Sequence, residues 1–243
     1  MLVLRDLRLR YRQTALGVIW VLLQPLAAAA IFALIFGRFA RLPSDGQPYV
    51  VFALAGLVSW TLLSGVLQRA GNSLVSESRL ITKVYFPRLI VPLSAGLSAV
   101  LDFVLAFSFL IGVAAFHGIL PGFGLLLSPM VLLVELLLAV GVGLWLSALN
   151  VRYRDVTHAL PFFIQVWLYA SPVVYSLSIV PADWHWLFLF NPMAGIIESL
   201  RATVFGTGIP WPALAISTGW ALVFLVSGSL YFRSVERSFA DAL

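Results

Sequence analysis

The sequence contains no cysteine, a single lysine and few charged residues. The absence of cysteine excludes disulfides and thiolate metal sites, although it identifies no cellular compartment. Charged residues make up 10% of the chain, whereas roughly 25% is usual for a soluble domain. Hydrophobic residues make up 61%, and the mean hydropathy is +1.02. This composition excludes an ordinary soluble domain and indicates an integral membrane protein.

The sequence also lacks the common motifs of catalysis and metal binding. Lys83, the single lysine, lies in RLITKVYF, which has none of the glycines of a phosphate-binding G-x-x-x-x-G-K-[ST] loop. His117, His158 and His185 are far apart, and none belongs to an H-E-x-x-H zinc motif. No nucleophile stands out with a base and an orienting partner. We therefore expect no catalytic residue, no metal ligand and no cofactor in this chain.

Long apolar runs fill most of the chain. A helix needs about 20 apolar residues to cross the hydrocarbon core of a bilayer, and the segments between the runs are too short for a soluble domain. We therefore predict one all-α integral membrane domain over residues 15–232. Its six predicted membrane-spanning helices cover residues 15–37, 49–67, 89–116, 125–149, 159–180 and 211–232.

The distribution of positive charge predicts the orientation of these helices. Arginine and lysine accumulate in cytoplasmic loops, and both termini, including the tail 233–243, are therefore predicted to be cytoplasmic. Because the basic residues flank membrane spans, the net charge of +5 does not indicate nucleic-acid binding. Of the 15 basic residues, 12 lie on the predicted inner side (Arg5, Arg8, Arg10, Arg12, Arg69, Arg79, Lys83, Arg88, Arg152, Arg154, Arg233, Arg237) and 3 on the outer side (Arg38, Arg41, Arg201).

The chain begins with a basic amphipathic segment, residues 1–14. On a helix, Arg5, Arg8 and Arg12 form one stripe beside an apolar stripe. This spacing predicts an interfacial helix on the cytoplasmic leaflet, where anionic membrane lipids attract the arginines. A simple orientation signal is the alternative explanation. The apolar run that follows is longer than the core of a signal peptide, so we expect the first span to be retained.

The longest predicted cytoplasmic connection is residues 68–88. It combines charges with apolar residues such as Leu80, Val84 and Phe86, which favours a docking element over a solvated linker. The pattern predicts a short helix that ends before Pro87.

The outer segment 181–210 contains apolar runs that are too short to cross the membrane. Asn191 and Pro192 separate these runs, which predicts two short helices that dip into the outer half of the membrane. Anchoring of the segment at the interface by Trp184 and Trp186 is the alternative.

Two carboxylates, Asp102 and Glu135, lie inside predicted spans. Ionisable residues at such positions face a bundle interior or an aqueous cavity, so both are functional candidates. The structural alternative is a protonated carboxyl group that is hydrogen-bonded to a neighbouring helix. Prolines predict a kink or a helix end at Pro25 and breaks in the fifth span at Pro161 and Pro172. A small-residue face suited to close helix packing consists of Ala139, Gly143 and Ser147.

Several stretches, in order along nearly the whole chain, resemble one family. They are RDLRLRYRQTALGVIWVLLQPL at the start, SESRLITKVYFPRLIVP in the first inner loop, LNVRYRDV after the fourth span, SPVVYS in the fifth span and NPMAGIIESLR before the sixth. With these stretches the chain resembles the membrane-spanning permease subunits of bacterial ABC transporters that export surface polysaccharides. The cargo of that family includes O-antigen, capsule and teichoic-acid chains.

The resemblance implies a homodimer in the bacterial cytoplasmic (inner) membrane, paired with two copies of a separate ATPase subunit that binds ATP and magnesium. It implies a lipid-linked polysaccharide as the substrate. The residues that it assigns to ATPase coupling are Glu77, Arg79, Lys83, Tyr85, Phe86 and Arg88, supported by Arg5, Arg8 and Arg12. The residues that it assigns to the outer gate are Trp184, Trp186, Asn191, Pro192, Glu198 and Arg201.

The resemblance also implies a channel with an aromatic lining. Aromatic rings offer apolar faces to the C–H groups of sugars without a fixed hydrogen-bond register, so a polymer slides past them. The candidate channel residues are Trp60, Trp145, Phe162, Phe163, Trp167, Tyr169 and Tyr175, together with Asp102 and Glu135.

Two other functions are considered beside the export permease. A proton-coupled secondary transporter would use Asp102 and Glu135 as a relay, and we would expect an internal repeat in its sequence. An intramembrane glycan-modifying enzyme would need an acid, a base and a nucleophile, which the sequence does not bring together.

Overall fold

Every regular element that the structure describes is a helix, which confirms the predicted all-α fold. The structure is a computed structural model, and it describes residues 19–78 and 87–236. Its main helices are α1 (Ile19–Phe32), α2 (Tyr49–Ser76), α3 (Ile90–Phe116), α4 (Ser128–Arg152), α5 (Val156–Ala170), α6 (His185–Leu189), α7 (Pro192–Phe205) and α8 (Trp211–Val235). A π-helical segment (Ala33–Phe39) extends α1, and short 3-10 turns are Phe123–Leu127, Leu177–Ile179 and Ala182–Trp184.

Five of the described helical segments are long and apolar enough to cross a membrane. They are α1 with its π-helical extension, α2, α3, α4 with its preceding turn, and α8. The sixth predicted span corresponds to α5, which has only 15 residues. Six spans therefore stay a prediction, and the five long helices establish a polytopic helical membrane protein.

Helix α2 forms the centre of the bundle. It contacts α1, α3, α4, α5 and α7, and most of its side chains between Val51 and Leu74 are buried. Helix α8 packs on α4 and α7 at the side of this core. The interior therefore consists mainly of α2 and the helix faces that surround it.

Small residues allow the closest helix crossings. Gly141 of α4 meets Gly228 of α8, and a Cβ added at either position would overlap backbone atoms of the other helix. The predicted small-residue face of α4 is confirmed, because Ala139, Gly143 and Ser147 are all buried. Such crossings suit a membrane bundle, in which packing rather than water exclusion holds the helices together.

The boundary between the second span and the first inner loop differs from the prediction. Helix α2 continues to Ser76 instead of ending at residue 67, so the first part of the predicted loop 68–88 is helical. Arg69, which was assigned to that loop, lies inside α2 and forms an ion pair with Asp102 of α3. Pairing of the charge and burial of neighbours such as Ala70 and Leu74 permit the helix to continue.

The structure contradicts the predicted effect of proline at one of three positions. Helix α1 continues through Pro25, and α5 continues through Pro161, so the predicted break at Pro161 is wrong. Membrane helices tolerate proline where neighbouring groups satisfy the freed backbone carbonyl. The chain does leave the helix before Pro172, since α5 ends at Ala170 rather than near residue 180.

The outer segment contains the two short helices that the sequence predicts. Helix α6 ends at Leu189 and α7 begins at Pro192, with Asn191 as its N-cap. The N-terminal segment 1–14 and the predicted docking helix at 79–86 lie outside the described residues, as do residues 237–243. Of the coupling candidates, only Glu77 and Arg88 fall within the described part of the chain.

Candidate functional site

An open cavity of about 600 Å³ lies between α5, α6, the start of α7 and α8. We call it the aromatic cavity, because aromatic side chains form most of its wall. The wall consists of Trp167, Tyr175, Phe188, Phe190, Trp220 and Phe224, together with Ala170, Leu187, Asn191 and Pro192. Trp167 and Tyr175 were predicted channel residues, whereas Phe188, Phe190, Trp220 and Phe224 were not.

The side chain of Asn191 holds the wall of this cavity in place. The indole Nε1 of Trp167 donates to Asn191 Oδ1 at 3.0 Å, and the backbone N–H of Met193 donates to the same oxygen at 3.1 Å. Asn191 Nδ2 donates to the carbonyl of Ala170 and the hydroxyl of Ser171, both at 3.0 Å. One amide therefore caps α7 and fixes the end of α5 against it.

The Asn–Pro dipeptide explains why the chain turns here. Asn191 is a favoured N-cap residue, and Pro192 occupies the first turn of α7, where its missing N–H leaves no bond unmade. The predicted gate residues Asn191 and Pro192 thus serve in building the cavity. The predicted gate residues Trp184 and Trp186 precede Asn191 on the outer segment and are exposed.

Ring contacts connect the aromatic wall to the rest of the bundle. Trp60 of α2 meets Trp167 edge-on, with ring centroids 6.1 Å apart. On the opposite wall Trp220 lies 6.2 Å from Phe190 and 6.1 Å from Phe224, and its indole Nε1 donates to the carbonyl of Leu189 at 3.0 Å. Trp60 is itself buried, so it supports the cavity from behind.

The other predicted channel aromatics lie elsewhere. Trp145 stacks on Tyr231 at 4.2 Å and donates to Ser227 of α8, so it belongs to the packing of α4 on α8. Phe162, Phe163 and Tyr169 are exposed on the surface of α5 and do not line the cavity. These three side chains form an aromatic face of α5 that the described part of the chain does not cover.

Arg201 and Glu198, the charged residues of the predicted gate, join three segments at one end of the bundle. The Arg201 guanidinium is buried and donates to the carbonyls of Val173 at 2.7 Å and Phe52 at 3.3 Å. It also donates to Glu198 Oε1 at 3.0 Å and lies 3.5 Å from the centre of the Phe52 ring. Burial lowers the pKa of Arg201 to about 10, which leaves it charged at neutral pH.

Burial also raises the pKa of Glu198 above its ordinary value, although the charge of Arg201 opposes this rise. A small cavity of about 180 Å³ lies beside the pair and is bordered by Asp45. Asp45 accepts hydrogen bonds from the hydroxyls of Ser176 and Ser178. Arg201 therefore lies inside the protein, so its charge does not count toward the exposed positive charge of the predicted outer side.

The two intramembrane carboxylates do not share one site. Asp102 pairs with Arg69, whose Nη1 also donates to Ser98 at 2.9 Å. Glu135 is fully buried and accepts a hydrogen bond from Ser59 at 3.1 Å, while its Oε2 has no hydrogen-bond partner among the described residues. Their partners on α2, Arg69 and Ser59, are ten positions apart, or about 15 Å along the helix. This separation disfavours a direct proton relay between the two carboxylates.

Hydrogen bonds also join the elements at the inner end. Asn150 of α4 is buried and donates to the carbonyl of Gly71 at 2.9 Å and to Asn72 at 3.1 Å. Thr157 of α5 donates to Asn150 Oδ1 at 2.8 Å. One amide thus connects α2, α4 and α5 close to where the first inner loop begins.

Arg88, a predicted coupling residue, bonds within the chain. Its backbone N–H donates to Glu236 Oε1 at 3.2 Å, and its guanidinium donates to the Glu236 carbonyl. The loop therefore re-enters the bundle against the end of α8. Glu77 follows the last residue of α2 and donates its backbone N–H to Ser73.

Four aromatic residues of the cavity were missed because their sequence positions do not reveal that they converge. Phe188 belongs to the short helix α6 and Phe190 directly follows it, whereas Trp220 and Phe224 lie one turn apart on α8. The i, i+4 spacing of Trp220 and Phe224 is the signal that was available. Only the turn at Asn191 shows that this pair faces α6.

Comparison with known proteins gives long matches. A model of the ABC-2 type transporter family matches residues 1–205. The O-antigen export system permease protein RfbA of Myxococcus xanthus is 28% identical over 246 residues, which cover 100% of this chain and 94% of that protein. A protein of the same name from Klebsiella pneumoniae is 25% identical and covers 98% of this chain and 92% of its own length.

A further relative is the polysialic acid transport protein KpsM of Escherichia coli. It is 23% identical over 244 residues, which cover 98% of this chain and 93% of that protein. The family match extends over most of the chain, from the first residue to the end of α7. The chain therefore belongs to the ABC-2 type transporter family, as a membrane-spanning transport subunit rather than an enzyme.

Proposed function

We propose that this chain is the permease subunit of a transporter that exports a lipid-linked surface polysaccharide, such as an O-antigen, across the cytoplasmic membrane. The observation that supports this proposal most is the aromatic cavity, in a chain that aligns over its whole length with O-antigen export permeases. ATP hydrolysis by a separate ATPase subunit, which binds ATP and magnesium, drives the export.

The cavity suits a sugar polymer for a physical reason. Sugar rings carry faces of C–H groups that pack on aromatic faces, and such contacts do not fix one hydrogen-bond register. Six aromatic side chains from α5, α6, α8 and the residues that follow α5 and α6 surround one open volume. A glycan that moves along this wall exchanges one ring contact for the next without crossing a high barrier.

The assembly follows from the same proposal. Two copies of this chain pair with two ATPase subunits, and both termini lie in the cytoplasm. The charge distribution supports this orientation even after correction, because removing Arg69 from the inner group of 12 and Arg201 from the outer group of 3 leaves 11 against 2. The inner loop between Glu77 and Arg88 is proposed to contact the ATPase, with support from Arg5, Arg8 and Arg12.

Deletion of the gene in its host tests the proposal. Loss of this chain should remove the glycan from the cell surface and cause its lipid-linked form to accumulate on the cytoplasmic side. Re-expression together with the active ATPase should restore surface glycan, whereas re-expression with an ATPase that cannot hydrolyse ATP should not. Unchanged surface glycan in the deletion strain would contradict the proposal.

The same system separates export by ATP from export by a proton gradient. Inverted membrane vesicles that contain the chain and its ATPase should take up lipid-linked glycan with ATP after the pH gradient has been collapsed. Uptake that follows a pH gradient without ATP would instead indicate a secondary transporter that uses Asp102 or Glu135.

A further inference from the structure

A second cavity, which we call the polar cleft, lies where α1, α2 and α3 meet. Its volume is about 260 Å³, and it lies among helices that are long and apolar enough to cross the membrane. Most of its wall is polar, which is unusual at membrane depth. The wall consists of Gln24, Pro25, Thr61, Ser64, Gly65, Gln68, Arg69, Asp102 and Ala106.

The α2 side of the polar cleft is a regular stripe. Thr61, Ser64 and Gln68 are spaced i, i+3 and i+7, which places them on one face of the helix. Thr61 and Gln68 are exposed although most of α2 is buried. Gln24 of α1 is also exposed and contributes a second amide to the opposite wall. The cleft is therefore a face that the fold leaves open to an occupant.

The occupant must be polar. The side-chain amides of Gln24 and Gln68 make no hydrogen bond to any residue that the structure describes, whereas the hydroxyls of Thr61 and Ser64 donate to backbone carbonyls of their own helix. An unpaired amide in hydrocarbon carries a large desolvation cost, so lipid acyl chains are poor partners for this wall. Water or a hydroxyl-bearing ligand satisfies the two amides.

The charges of the cleft favour a neutral ligand over a phosphate. Among the described wall residues Arg69 is the one cation, and the carboxylate of Asp102 and the hydroxyl of Ser98 already engage its guanidinium. The described wall residues therefore carry no net charge. Amides and hydroxyls offer both donors and acceptors, which match the hydroxyl groups of a sugar.

The cleft adjoins the support of the aromatic cavity. Trp60, which packs behind the cavity wall against Trp167, directly precedes Thr61 on α2. Successive residues on a helix point about 100° apart. Helix α2 therefore presents one face toward the aromatic cavity and a neighbouring face to the polar cleft.

We propose that the polar cleft binds hydroxyl groups of a neutral stretch of the transported glycan. This inference rests on the proposed function and adds a second contact region on α1, α2 and α3, which are not the helices that line the aromatic cavity. The aromatic cavity holds sugar faces, and the polar cleft pairs with sugar hydroxyls through Gln24 and Gln68.

Single cysteines test whether the glycan enters the cleft, since the chain has no cysteine of its own. Gln68→Cys is compared with Ser108→Cys, an exposed position on α3 about 200° around the helix from Ala106. Both variants are expressed with the ATPase, and open membranes are treated with a charged methanethiosulfonate reagent. Membranes come from cells that make the glycan and from cells blocked at its first sugar transfer.

The proposal expects Gln68→Cys to be labelled in membranes without glycan and to lose that labelling when glycan is present, while Ser108→Cys stays unlabelled in both. Equal labelling with and without glycan would overturn it, because the cleft would then hold only water. Absence of labelling in both preparations would overturn it as well, because lipid or protein would then cover the cleft.

An export assay separates this inference from the proposed function. The double variant Gln24→Leu with Gln68→Leu loses two polar partners, and its export should fall by about fivefold to tenfold at equal membrane abundance. Ser108→Leu is the control and should export normally. Normal export by the double variant would overturn the proposed binding of glycan at the polar cleft, and the proposed permease function would be unaffected. Absence of export by the unaltered chain with its ATPase would overturn the proposed function itself.

Discussion

Helices α2 and α5 are both apolar, yet the protein uses them in opposite ways. In α2, 78% of the 18-residue apolar stretch is buried inside the chain, and other helices surround α2 on most sides. In α5 only Leu160 and Ile164 are buried, and Phe162, Phe163 and Tyr169 are exposed. Side-chain packing therefore holds α2 in place, whereas α5 leaves most of its surface free for other contacts.

Polar bonds at its two ends position α5 instead. Thr157 bonds Asn150 at its start, and Asn191 bonds Trp167 and the Ala170 carbonyl at its end. A helix that is held at both ends and weakly packed between them can shift without disturbing the core. The contrast indicates a fixed central helix and a more exposed helix that is able to adjust.

Replacing Arg201 should have the largest effect, because Arg201 connects both regions. Arg201→Met removes the donors to Phe52 in α2 and Val173 after α5 and leaves Glu198 without its charge partner. We expect a loss of about 3–5 kcal/mol in unfolding free energy, measured by denaturant unfolding in detergent. Arg38→Met is the control at an exposed arginine and should change little. Equal stability of the two variants would show that the buried contacts of Arg201 do not stabilise the fold.

A pair of core and surface truncations tests the contrast between the helices directly. Leu63 of α2 is fully buried, so Leu63→Ala should leave a void and lower the unfolding free energy by about 2–4 kcal/mol. Phe162→Ala removes a larger side chain from the exposed face of α5 and should cost less than about 0.5 kcal/mol. The same unfolding assay measures both variants. A larger loss for Phe162→Ala would reverse the comparison.

Loosening one end of α5 should affect export more than folding. Asn191→Ala removes the bonds to Trp167, Ala170, Ser171 and the cap of α7, for a cost of about 1–3 kcal/mol. Because these bonds shape the aromatic cavity, surface glycan should fall even where the protein remains folded and abundant. Asn191→Asp keeps the acceptor for Trp167 and for the cap, and should retain more export than the alanine variant. Full export by Asn191→Ala would show that the cavity wall needs no such support.

The smallest effect is expected from a substitution in the wall of the aromatic cavity. Phe190→Leu keeps an apolar side chain in the cavity wall but removes an exposed ring. A single aromatic contact is worth about 0.5–1.5 kcal/mol, so export should slow by about twofold to tenfold without loss of stability. Phe123→Leu makes the same change at an exposed position outside the cavity and should export normally. Time courses of surface glycan after induction measure both rates.

The sequence predicts the long helices well, because apolar length is a local property. The third and sixth predicted spans, residues 89–116 and 211–232, agree closely with α3 (Ile90–Phe116) and α8 (Trp211–Val235). The family resemblance is confirmed as well. Boundaries are less accurate where polar residues find partners, as when the pairing of Arg69 with Asp102 allows α2 to extend beyond its apolar run.

The candidate site was only partly predictable, because it depends on contacts between distant segments. Of the aromatic residues predicted for the channel, Trp167 and Tyr175 line the aromatic cavity, whereas Trp145 packs against Tyr231 between α4 and α8. The side-chain hydrogen bonds that join different helices were not predicted, because nothing in the sequence distinguishes an asparagine such as Asn150 from an ordinary loop residue. Its role appears only when Gly71 and Thr157, each from another helix, converge on one amide.

Photocrosslinking at the wall of the aromatic cavity tests whether this cavity contacts the transported polysaccharide. A photoreactive phenylalanine analogue is placed at position 190, inside the aromatic cavity, or at position 123, outside it, and cells that are exporting glycan are irradiated. We expect glycan attached to the chain with the probe at position 190, little or none at 123, and no product in cells that cannot make the glycan. Absence of crosslinked glycan at position 190 during active export, or equal crosslinking at both positions, would contradict the claim that this cavity contacts the transported polysaccharide.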